Sequence, residues 1–367
     1  MLFSAGPKEQ RKDLYNFENE LERLIHAYHD NLVRLIVIKG LRRTGKSSLL
    51  RVSLNESGLN YILIDMREFD IISRSELYEY LRKALLSIVG GKMKYLADKV
   101  RALSVVGIKL ELEKEEQDDY RYLMRKVNDW AKQHNTYFIL AIDEAQELAK
   151  IGFSRYLAFI YDNLSRIKIV LAGSQVGVLN KLFEDPEAPL FGRAREEISL
   201  SRFNKVQSID FLKKGFAEVG LDIPDKYINN AVTYLDGIVG WLVMYGFIAY
   251  QTGDPELALE QAVNDGMKLV KNELNKFLET RGIGKQRYLT ILKILGDRKR
   301  RWKEIKKLLE FEEGKRLGNN QVSHYLNELV KYGIVMKKDA FYYLPDPILQ
   351  QAVLKAVSYT HLTLPTN

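Results

Sequence analysis

Residues 34–48 of the chain are RLIVIKGLRRTGKSS, an apolar run that leads into a basic, glycine-containing loop and two serines. From Gly40 to Ser47 the loop fits the pattern G-x-x-x-x-G-K-[ST], between a run typical of a buried strand and a stretch with helical spacing. The glycines permit backbone angles at which successive N–H groups turn inward around an anion, and the helix start adds its positive dipole end. The stretch predicts a phosphate-binding loop; the alternative is a strand–helix turn without a ligand.

The residues of this loop predict ATP or ADP, together with Mg²⁺, as ligands. Lys46 would reach the β- and γ-phosphates, which makes it a candidate catalytic residue, and the Ser47 hydroxyl would ligate the metal. The residues expected to hold the nucleotide are Gly40, Leu41, Arg42, Arg43, Thr44, Gly45, Lys46, Ser47 and Ser48.

A second apolar run, residues 137–142, ends in the acid pair Asp143 and Glu144. Ligands of open α/β sheets bind at the carboxyl ends of the strands, so we expect these carboxylates beside the loop. Asp143 would hold Mg²⁺, mostly through bound water, and Glu144 would polarise the attacking water as the catalytic base. Alone, such a pair is also typical of a solvated strand end. Neighbouring side chains of an extended chain point opposite ways, so both can serve the phosphates only if the chain bends here.

Two further positions are candidates for the same chemistry. The run KIVLAGS at residues 168–174 predicts a strand that ends at Ser174, whose hydroxyl would reach the γ-phosphate or the attacking water. The alternative for Ser174 is helix N-capping. Arg193, or Arg195 near it, could meet phosphate from the same subunit or from a neighbour, and the alternative is a surface arginine pair.

Apolar runs alternate with helical spacing up to residue 203, which predicts βαβ units and a parallel sheet covered on both faces. Within this part, residues 90–119 predict an irregular, acidic insertion. From residue 204 to 280 we expect helices only, and residues 283–345 have the pattern of three helices and a β-hairpin that is typical of a winged helix.

The fold class that follows is α/β: a P-loop NTPase core sheet of five parallel strands, a helical lid and a C-terminal winged-helix domain. Strands are expected at residues 34–39, 61–66, 137–142, 168–172 and 197–200. The expected domains are residues 1–203, 204–281 and 282–357, followed by a tail at 358–367 that is disordered or of cloning origin.

The amino-acid composition excludes several kinds of site. The 367 residues include no cysteine, which excludes disulfides, thiolate metal sites and cysteine nucleophiles. The longest apolar runs fall well short of the roughly 20 residues that cross a bilayer, and the N-terminus has no signal-peptide pattern. We expect a cytoplasmic protein without a membrane partner.

Charge is concentrated in one segment. Residues 281–345 contain 16 Lys and Arg against 7 Asp and Glu, which leaves 40 basic against 41 acidic residues in the remainder. This favours duplex DNA or another acidic partner, with a solvated lysine-rich surface as the alternative. Helix Asn320–Lys331 would offer base or phosphate donors, and Arg298–Arg301 would lie on a phosphate backbone. A winged helix used for protein contact, or as a cover on the nucleotide site, stays open.

The order of these elements resembles the archaeal ATPase family, in the AAA+-related STAND division of P-loop NTPases. The resemblance covers about residues 1–355, and its local markers are Gly6–Lys8, Ile142–Gln146, Ala172–Gln175, Leu190–Ala194 and Gly237–Leu242. It implies a sheet with an additional strand, and ATP with Mg²⁺ between core and lid. Pro7 and Lys8 would then lie near the adenine, and Gly237–Leu242 would approach the nucleotide.

One departure from the family pattern affects the expected function. Many AAA+ motors place a basic residue at the start of this lid helix, where the present chain has Gly240 and Trp241. We therefore expect a slow, Mg-dependent ATP hydrolase that acts as a regulatory switch, not a motor. The alternatives are an ATP-dependent DNA-binding initiator and a scaffold that never hydrolyses its nucleotide; an oligomer is possible in each case. For Trp241, packing between lid helices is the alternative to an adenine contact.

Overall fold

The computed structural model describes residues 1–68, 73–89, 103–104, 120–193 and 195–360. The insertion expected at 90–119 lies almost wholly outside these residues, as does the end of the expected tail, 361–367. The chain divides into two compact units. One is Pro7–Ser201, and the other combines Met1–Gly6 with the chain from Arg202 onward.

A twisted sheet forms the centre of the unit Pro7–Ser201. Its strands are β1 (Leu35–Gly40), β2 (Asn60–Asp65), β3 (Leu103–Ser104), β4 (Phe138–Asp143), β5 (Ile167–Gly173) and β6 (Glu196–Leu200). Their order is β3-β2-β4-β5-β1-β6, and the five long strands are parallel. Strand β5 lies between the loop-bearing β1 and β4, which is the additional-strand arrangement. The expected five parallel strands are confirmed, and the antiparallel β3 was not expected.

Helices cover this sheet because each crossover between parallel strands must bury an apolar stripe. They are α1 (Glu18–His29), α2 (Lys46–Glu56), α3 (Arg74–Val89), α4 (Tyr120–Gln133), α5 (Ser154–Asn163) and α6 (Val176–Glu184). Apolar side chains of β1, β2, β4 and β5 pack with those of α3, α4 and α5 in one core. The carboxyl ends of the parallel strands therefore meet at one fixed edge.

The second unit begins with helices only, as expected: α7 (Lys205–Glu218), α8 (Asp225–Leu235), α9 (Val239–Thr252) and α10 (Pro255–Glu279). A winged helix follows, made of α11 (Lys285–Gly296), β7 (Arg300–Arg301), α12 (Trp302–Glu313), α13 (Asn319–Lys331), β8 (Met336–Lys338) and β9 (Phe341–Tyr343). Its antiparallel sheet has the order β7-β9-β8, so the last two residues of the basic run Arg298–Arg301 form a strand that was not expected. A last helix, α14 (Pro347–Thr360), continues through the first three residues of the expected tail. No helix among the described residues is both long and apolar enough to cross a membrane.

Phe3 anchors the start of the chain in the helical part of this unit. Its ring is 3% exposed and packs edge-on against Phe211 and Phe216. A Cβ atom at Gly215 or Gly246 would meet the ring at 2.3 Å, so only glycine leaves room for it. The N-terminal segment is therefore part of the core of this unit.

Replacing Phe3 with alanine is expected to lower the free energy of unfolding of this unit by about 3 kcal/mol, because the cavity lies between two glycines that cannot fill it. Urea unfolding followed by circular dichroism measures the loss. Phe311→Ala is the matched control, because that ring is 81% exposed in the same unit and its removal should change little. Equal effects of the two substitutions would contradict the anchoring role.

Candidate functional site

The loop between β1 and α2 has the geometry of an anion cradle. Arg43 and Gly45 both have positive φ, at 64° and 96°, so successive N–H groups turn toward one side. Gly40 is required for a different reason: a Cβ there would meet the carbonyl oxygen of Leu200, on the neighbouring β6, at 2.6 Å. The Thr44 hydroxyl donates to the carbonyl of Leu41 at 2.8 Å and closes the loop.

Lys46 lies inside this loop and not on the surface. Its side chain is buried, and its ammonium donates to the carbonyl of Leu41 at 2.5 Å. Burial lowers the pKa of Lys46 to about 8, although the nearby carboxylates of Glu144 and Asp143 act in the opposite direction. A desolvated ammonium in a loop of N–H groups is a strong site for an anion. A bound anion stabilises the charge that has lost its contact with water on burial.

Asp143 meets Ser47 at the carboxyl edge of the sheet, as the sequence predicts. Asp143 is 1% exposed and accepts a hydrogen bond from the Ser47 hydroxyl. Burial raises the pKa of the Asp143 carboxyl, and the negative charge of Glu144 adds to this, while the Ser47 hydrogen bond and Arg67 lower it. A buried carboxylate beside a serine hydroxyl at the start of a helix offers hard oxygen ligands to a small divalent cation.

A metal at this place would need ligands beyond the protein. Among the described residues there is no group of three or more His, Asp or Glu side chains that could hold an ion alone. Mg²⁺ prefers to keep several waters and to bind through one or two protein oxygens plus substrate phosphates. The oxygens of Ser47 and Asp143 fit that mode, and Mg²⁺ would supply charge neutralisation for the phosphates.

Glu144 follows Asp143 at a sharp bend in the backbone. Its φ of 53° lies in the left-handed region, and a short 3₁₀ helix, Ala145–Lys150, begins directly after it. The Glu144 carboxylate accepts hydrogen bonds from the Ser174 hydroxyl, at 3.0 Å, and from the Gln146 amide. The bend that the sequence requires is present, and Ser174 lies beside Glu144.

The arginines of the Gly192–Arg195 segment are held by other partners. The Arg193 guanidinium pairs with Asp162 through two nitrogens, at 3.0 and 2.5 Å, and donates to the carbonyl of Pro189. Arg195 pairs with Glu197 at 2.6 Å, and Glu197 also accepts from Lys39. Either arginine would have to leave its carboxylate before it could reach a phosphate.

The two segments that the family resemblance assigns to the nucleotide have different surroundings in the structure. The Lys8 backbone N–H donates to the Ser48 hydroxyl at 3.0 Å, so Pro7 and Lys8 lie beside the start of α2. Trp241, in contrast, is 1% exposed, and its indole N–H donates to Asp346 at 3.1 Å. The core-packing alternative therefore describes Trp241.

Sequence reasoning missed three residues at the same sheet edge. Asp65, at the end of β2, lies opposite Asp143 in the strand register, and Arg67 pairs with both acids. Gln146 donates to Glu144, and its own Oε1 is buried without a hydrogen-bond partner among the described residues. The sequence signal for Asp65 was its position at the end of the apolar run that forms β2. Its pairing with Asp143 could not be predicted, because it depends on the order of the strands in the sheet.

Several basic side chains of the winged helix lie on or directly beside its small sheet. The Lys299 ammonium and the Arg301 guanidinium lie 5.1 and 4.9 Å from the centre of the Phe341 ring, and Lys337 and Lys338 are exposed on the adjacent strand. Arg300 differs from the expectation for its run, because it donates to the carbonyl of Ile294 and pairs with Asp297.

Helix α13 begins at Asn319, and two of the polar side chains near its start already accept hydrogen bonds from the neighbouring helix. The side chains of Asn320, Gln321 and His324 are exposed. Two others already have partners: Asn319 accepts from Lys306 at 2.7 Å, and Ser323 accepts from the indole of Trp302 at 3.2 Å.

Comparison with known proteins agrees with this architecture. Residues 14–245 match an ATPase domain predominantly from Archaea, and residues 283–345 match the C-terminal winged helix-turn-helix domain of MCM proteins. A search of curated proteins gave no significant match.

Two solved structures are similar over almost the whole chain. The Walker-type ATPase of Pyrococcus abyssi is 32% identical over 96% of this chain and 100% of its own, with a TM-score of 0.80. The ORC2 protein of Aeropyrum pernix, in ADPNP and ADP complexes, is 16% identical over 99% and 98%, with a TM-score of 0.61, which indicates a shared fold. Because the first family match spans more than half of the chain and includes the loop, the sheet and the acid pair, the chain belongs to the family of ATPase domains found predominantly in Archaea.

Proposed function

We propose that the chain is a Mg-dependent ATP hydrolase that acts as a nucleotide-driven switch. The observation that carries the proposal is the cluster at one sheet edge, where Lys46, Ser47 and Asp143 adjoin Glu144 and Ser174. These side chains supply a phosphate counter-charge, two metal oxygens and a carboxylate with a positioning hydroxyl. P-loop hydrolysis requires this set of groups, because its catalysis is mainly positioning and charge stabilisation.

Each group then has a defined task. The N–H groups of Gly40–Ser48 hold the phosphates, and Lys46 exchanges the Leu41 carbonyl for a phosphate oxygen. The Ser47 hydroxyl would ligate the cation directly, and Asp143 would hold it through bound water. Glu144 takes the proton of the attacking water, and the Ser174 hydroxyl keeps that carboxylate in place or turns to the γ-phosphate.

The switch role rests on the composition of α9. This helix, Val239–Thr252, contains no charged residue, and its Trp241 is buried with Asp346 as hydrogen-bond partner. A helix without charged residues supplies no cation to the nucleotide. We therefore do not expect ATP hydrolysis to drive large movements as it does in AAA+ motors. We propose slow turnover with two long-lived nucleotide states.

Removing the metal tests the hydrolytic part of the proposal. Phosphate release from ATP is expected with Mg²⁺ and is expected to vanish in EDTA, because the phosphate charge is then not neutralised. Radius of gyration, measured by small-angle X-ray scattering in ATP-analogue and ADP states, tests the switch. Metal-independent release would contradict the site, and identical scattering in both states would contradict the switch alone.

A second candidate function is ATP-dependent binding of duplex DNA. It is favoured by three basic side chains around Phe341: Lys299, directly before β7, and Arg301 and Lys338, which both pair with Phe341 in the strand register and so lie on one face of the sheet. Such a surface fits a phosphate backbone, because contacts of Lys and Arg to phosphate release condensed counter-ions. In this account ATP would act mainly as a loading signal.

Reversing three charges tests the DNA proposal. In the triple variant Arg298→Glu, Lys299→Glu, Arg301→Glu, the slope of log affinity against log salt is expected to shrink by about 2–3, roughly one per lost phosphate contact. Fluorescence anisotropy with labelled duplex measures it. The matched control reverses Lys268, Lys271 and Lys276, which are exposed on α10 in the same unit. A salt-independent affinity, or equal losses in both triples, would count against the surface.

A further inference from the structure

Strands β2 and β4 bring two acids side by side at the carboxyl edge of the sheet. Asp65 and Asp143 are partners in the strand register. Arg67, two residues past Asp65, folds back onto it: Nε lies 2.8 Å from Oδ1 and one terminal nitrogen lies 2.6 Å from Oδ2. The same terminal nitrogen lies 3.4 Å from Oδ2 of Asp143. One guanidinium therefore bridges both carboxylates.

Burial differs sharply among the three side chains. Those of Asp65 and Asp143 are 11% and 2% exposed, whereas that of Arg67 is 53% exposed. The carboxylates lie inside and the guanidinium covers them from the solvent side. A buried carboxylate is costly without a partner cation, and Arg67 supplies that cation to Asp143. Its positive charge lowers the pKa of Asp143, against the raising effects of burial and of Glu144.

We propose that Arg67 is the counter-ion of Asp143 in the nucleotide-free chain, and that a divalent cation must displace it from that carboxylate in order to bind. Arg67 thereby keeps the metal position closed until nucleotide phosphates arrive. The inference rests on the proposed function, in which Asp143 holds the metal.

The geometry favours displacement from Asp143 and not from Asp65. The contact with Asp143 is single and long, at 3.4 Å, whereas the contact with Asp65 is bidentate and short. The weaker contact breaks first, and Asp65 keeps the guanidinium anchored next to the site. A cation that enters alone meets the full positive charge of Arg67. A cation that enters with phosphates brings an anion that attracts the arginine.

The test is a titration of the nucleotide-free protein with Mn²⁺, in which the electron paramagnetic resonance signal of the free ion reports binding. Mn²⁺ takes the same hard oxygen ligands as Mg²⁺. In Arg67→Gln we expect the affinity for Mn²⁺ to rise ~10-fold, the order of effect of one unit charge on a divalent ion a few ångströms away when the dielectric is close to that of water, as it is for a half-exposed side chain. The glutamine amide can still donate to Asp65, which preserves part of the pairing.

Matched variants identify the cause of the change. Arg82→Met removes an arginine that is also bidentate with a carboxylate, Glu79, in the same unit, and it should leave Mn²⁺ affinity unchanged. Arg67→Lys keeps the charge and should stay close to the unsubstituted protein. Adding Asp143→Ala to Arg67→Gln should abolish the gain. If Arg67→Gln does not fold, the Mn²⁺ affinity of Asp65→Asn is compared with that of the double variant Asp65→Asn/Arg67→Gln. In this background the loss of Arg67 leaves no unpaired charge at position 65.

An affinity that is unchanged or weaker in Arg67→Gln would overturn the inference, as would a gain that survives Asp143→Ala. Both results are independent of hydrolysis, because no nucleotide is present. If ATP hydrolysis still depends on Mg²⁺ and Glu144, the proposed function stands while the role of Arg67 fails. If hydrolysis is independent of both, the proposed function fails by its own assay.

Discussion

Replacing Glu144 with glutamine is expected to lower the rate of ATP hydrolysis by about 10³-fold, because the amide cannot take the proton of the attacking water. Affinity for ATP should change little, since the carboxylate acts on the water and not on the phosphates. The substitution should also be tolerated by the fold. The new amide can accept from Ser174 and can donate to Oε1 of Gln146, which is buried without a partner among the described residues.

Single-turnover phosphate release and equilibrium binding of a fluorescent ATP analogue separate the two quantities. Glu147→Gln is the matched control, because it makes the same change three residues away, where the carboxylate pairs with Lys150. Turnover should be normal in that variant. Normal turnover in Glu144→Gln would exclude Glu144 as the catalytic base.

Replacing Lys46 with alanine is expected to weaken ATP binding by about 100-fold, because a charge-assisted contact to the phosphates is lost. Thermal stability should be nearly unchanged. The ammonium is desolvated, which lowers its pKa to about 8, so the native loop gains little by holding it without a ligand. Binding and stability should therefore respond differently to the same substitution.

Calorimetric titration with ATP and a thermal melt measure these two responses. Lys39→Ala is the control for long-range charge, since Lys39 lies just before the loop and pairs with Glu197. Its effect on ATP affinity should be small. Equal losses in both variants would indicate general electrostatics instead of a specific phosphate contact, and ATP binding unaffected by Lys46→Ala would place the nucleotide elsewhere.

Much of the fold could be predicted because its signals are local. The parallel strands are continuous apolar runs with abrupt ends, and the observed β4, Phe138–Asp143, lies within one residue of its expected position. For the same reason Ser174 could be expected at the carboxyl edge of the sheet, where the sequence predicts the γ-phosphate and the attacking water. Glu144 and Ser174 follow the carboxyl ends of β4 and β5, which are adjacent in the sheet. Local pattern and sheet topology agree at these positions.

The parts that could not be predicted depend on distant pairing. The two-residue strands β3 and β7 have no periodicity of their own and exist only through the strands that they join. Arg67 and Asp143 are 76 residues apart in sequence and meet because β2 and β4 are adjacent. Arg300 was expected on a phosphate backbone with its neighbours, but a nearby carboxylate, Asp297, and a helix carbonyl compete for it.

The most direct measurement is a crystal structure with a non-hydrolysable ATP analogue and Mn²⁺, with the ion located by its anomalous scattering. We predict an ion about 2.1 Å from the Ser47 hydroxyl oxygen, with Asp143 one water further away. Lys46 should then be bonded to phosphate and no longer to the carbonyl of Leu41. A triphosphate outside Gly40–Ser48, or an ion too far from both Ser47 and Asp143 for a shared water, would contradict the assignment of the site.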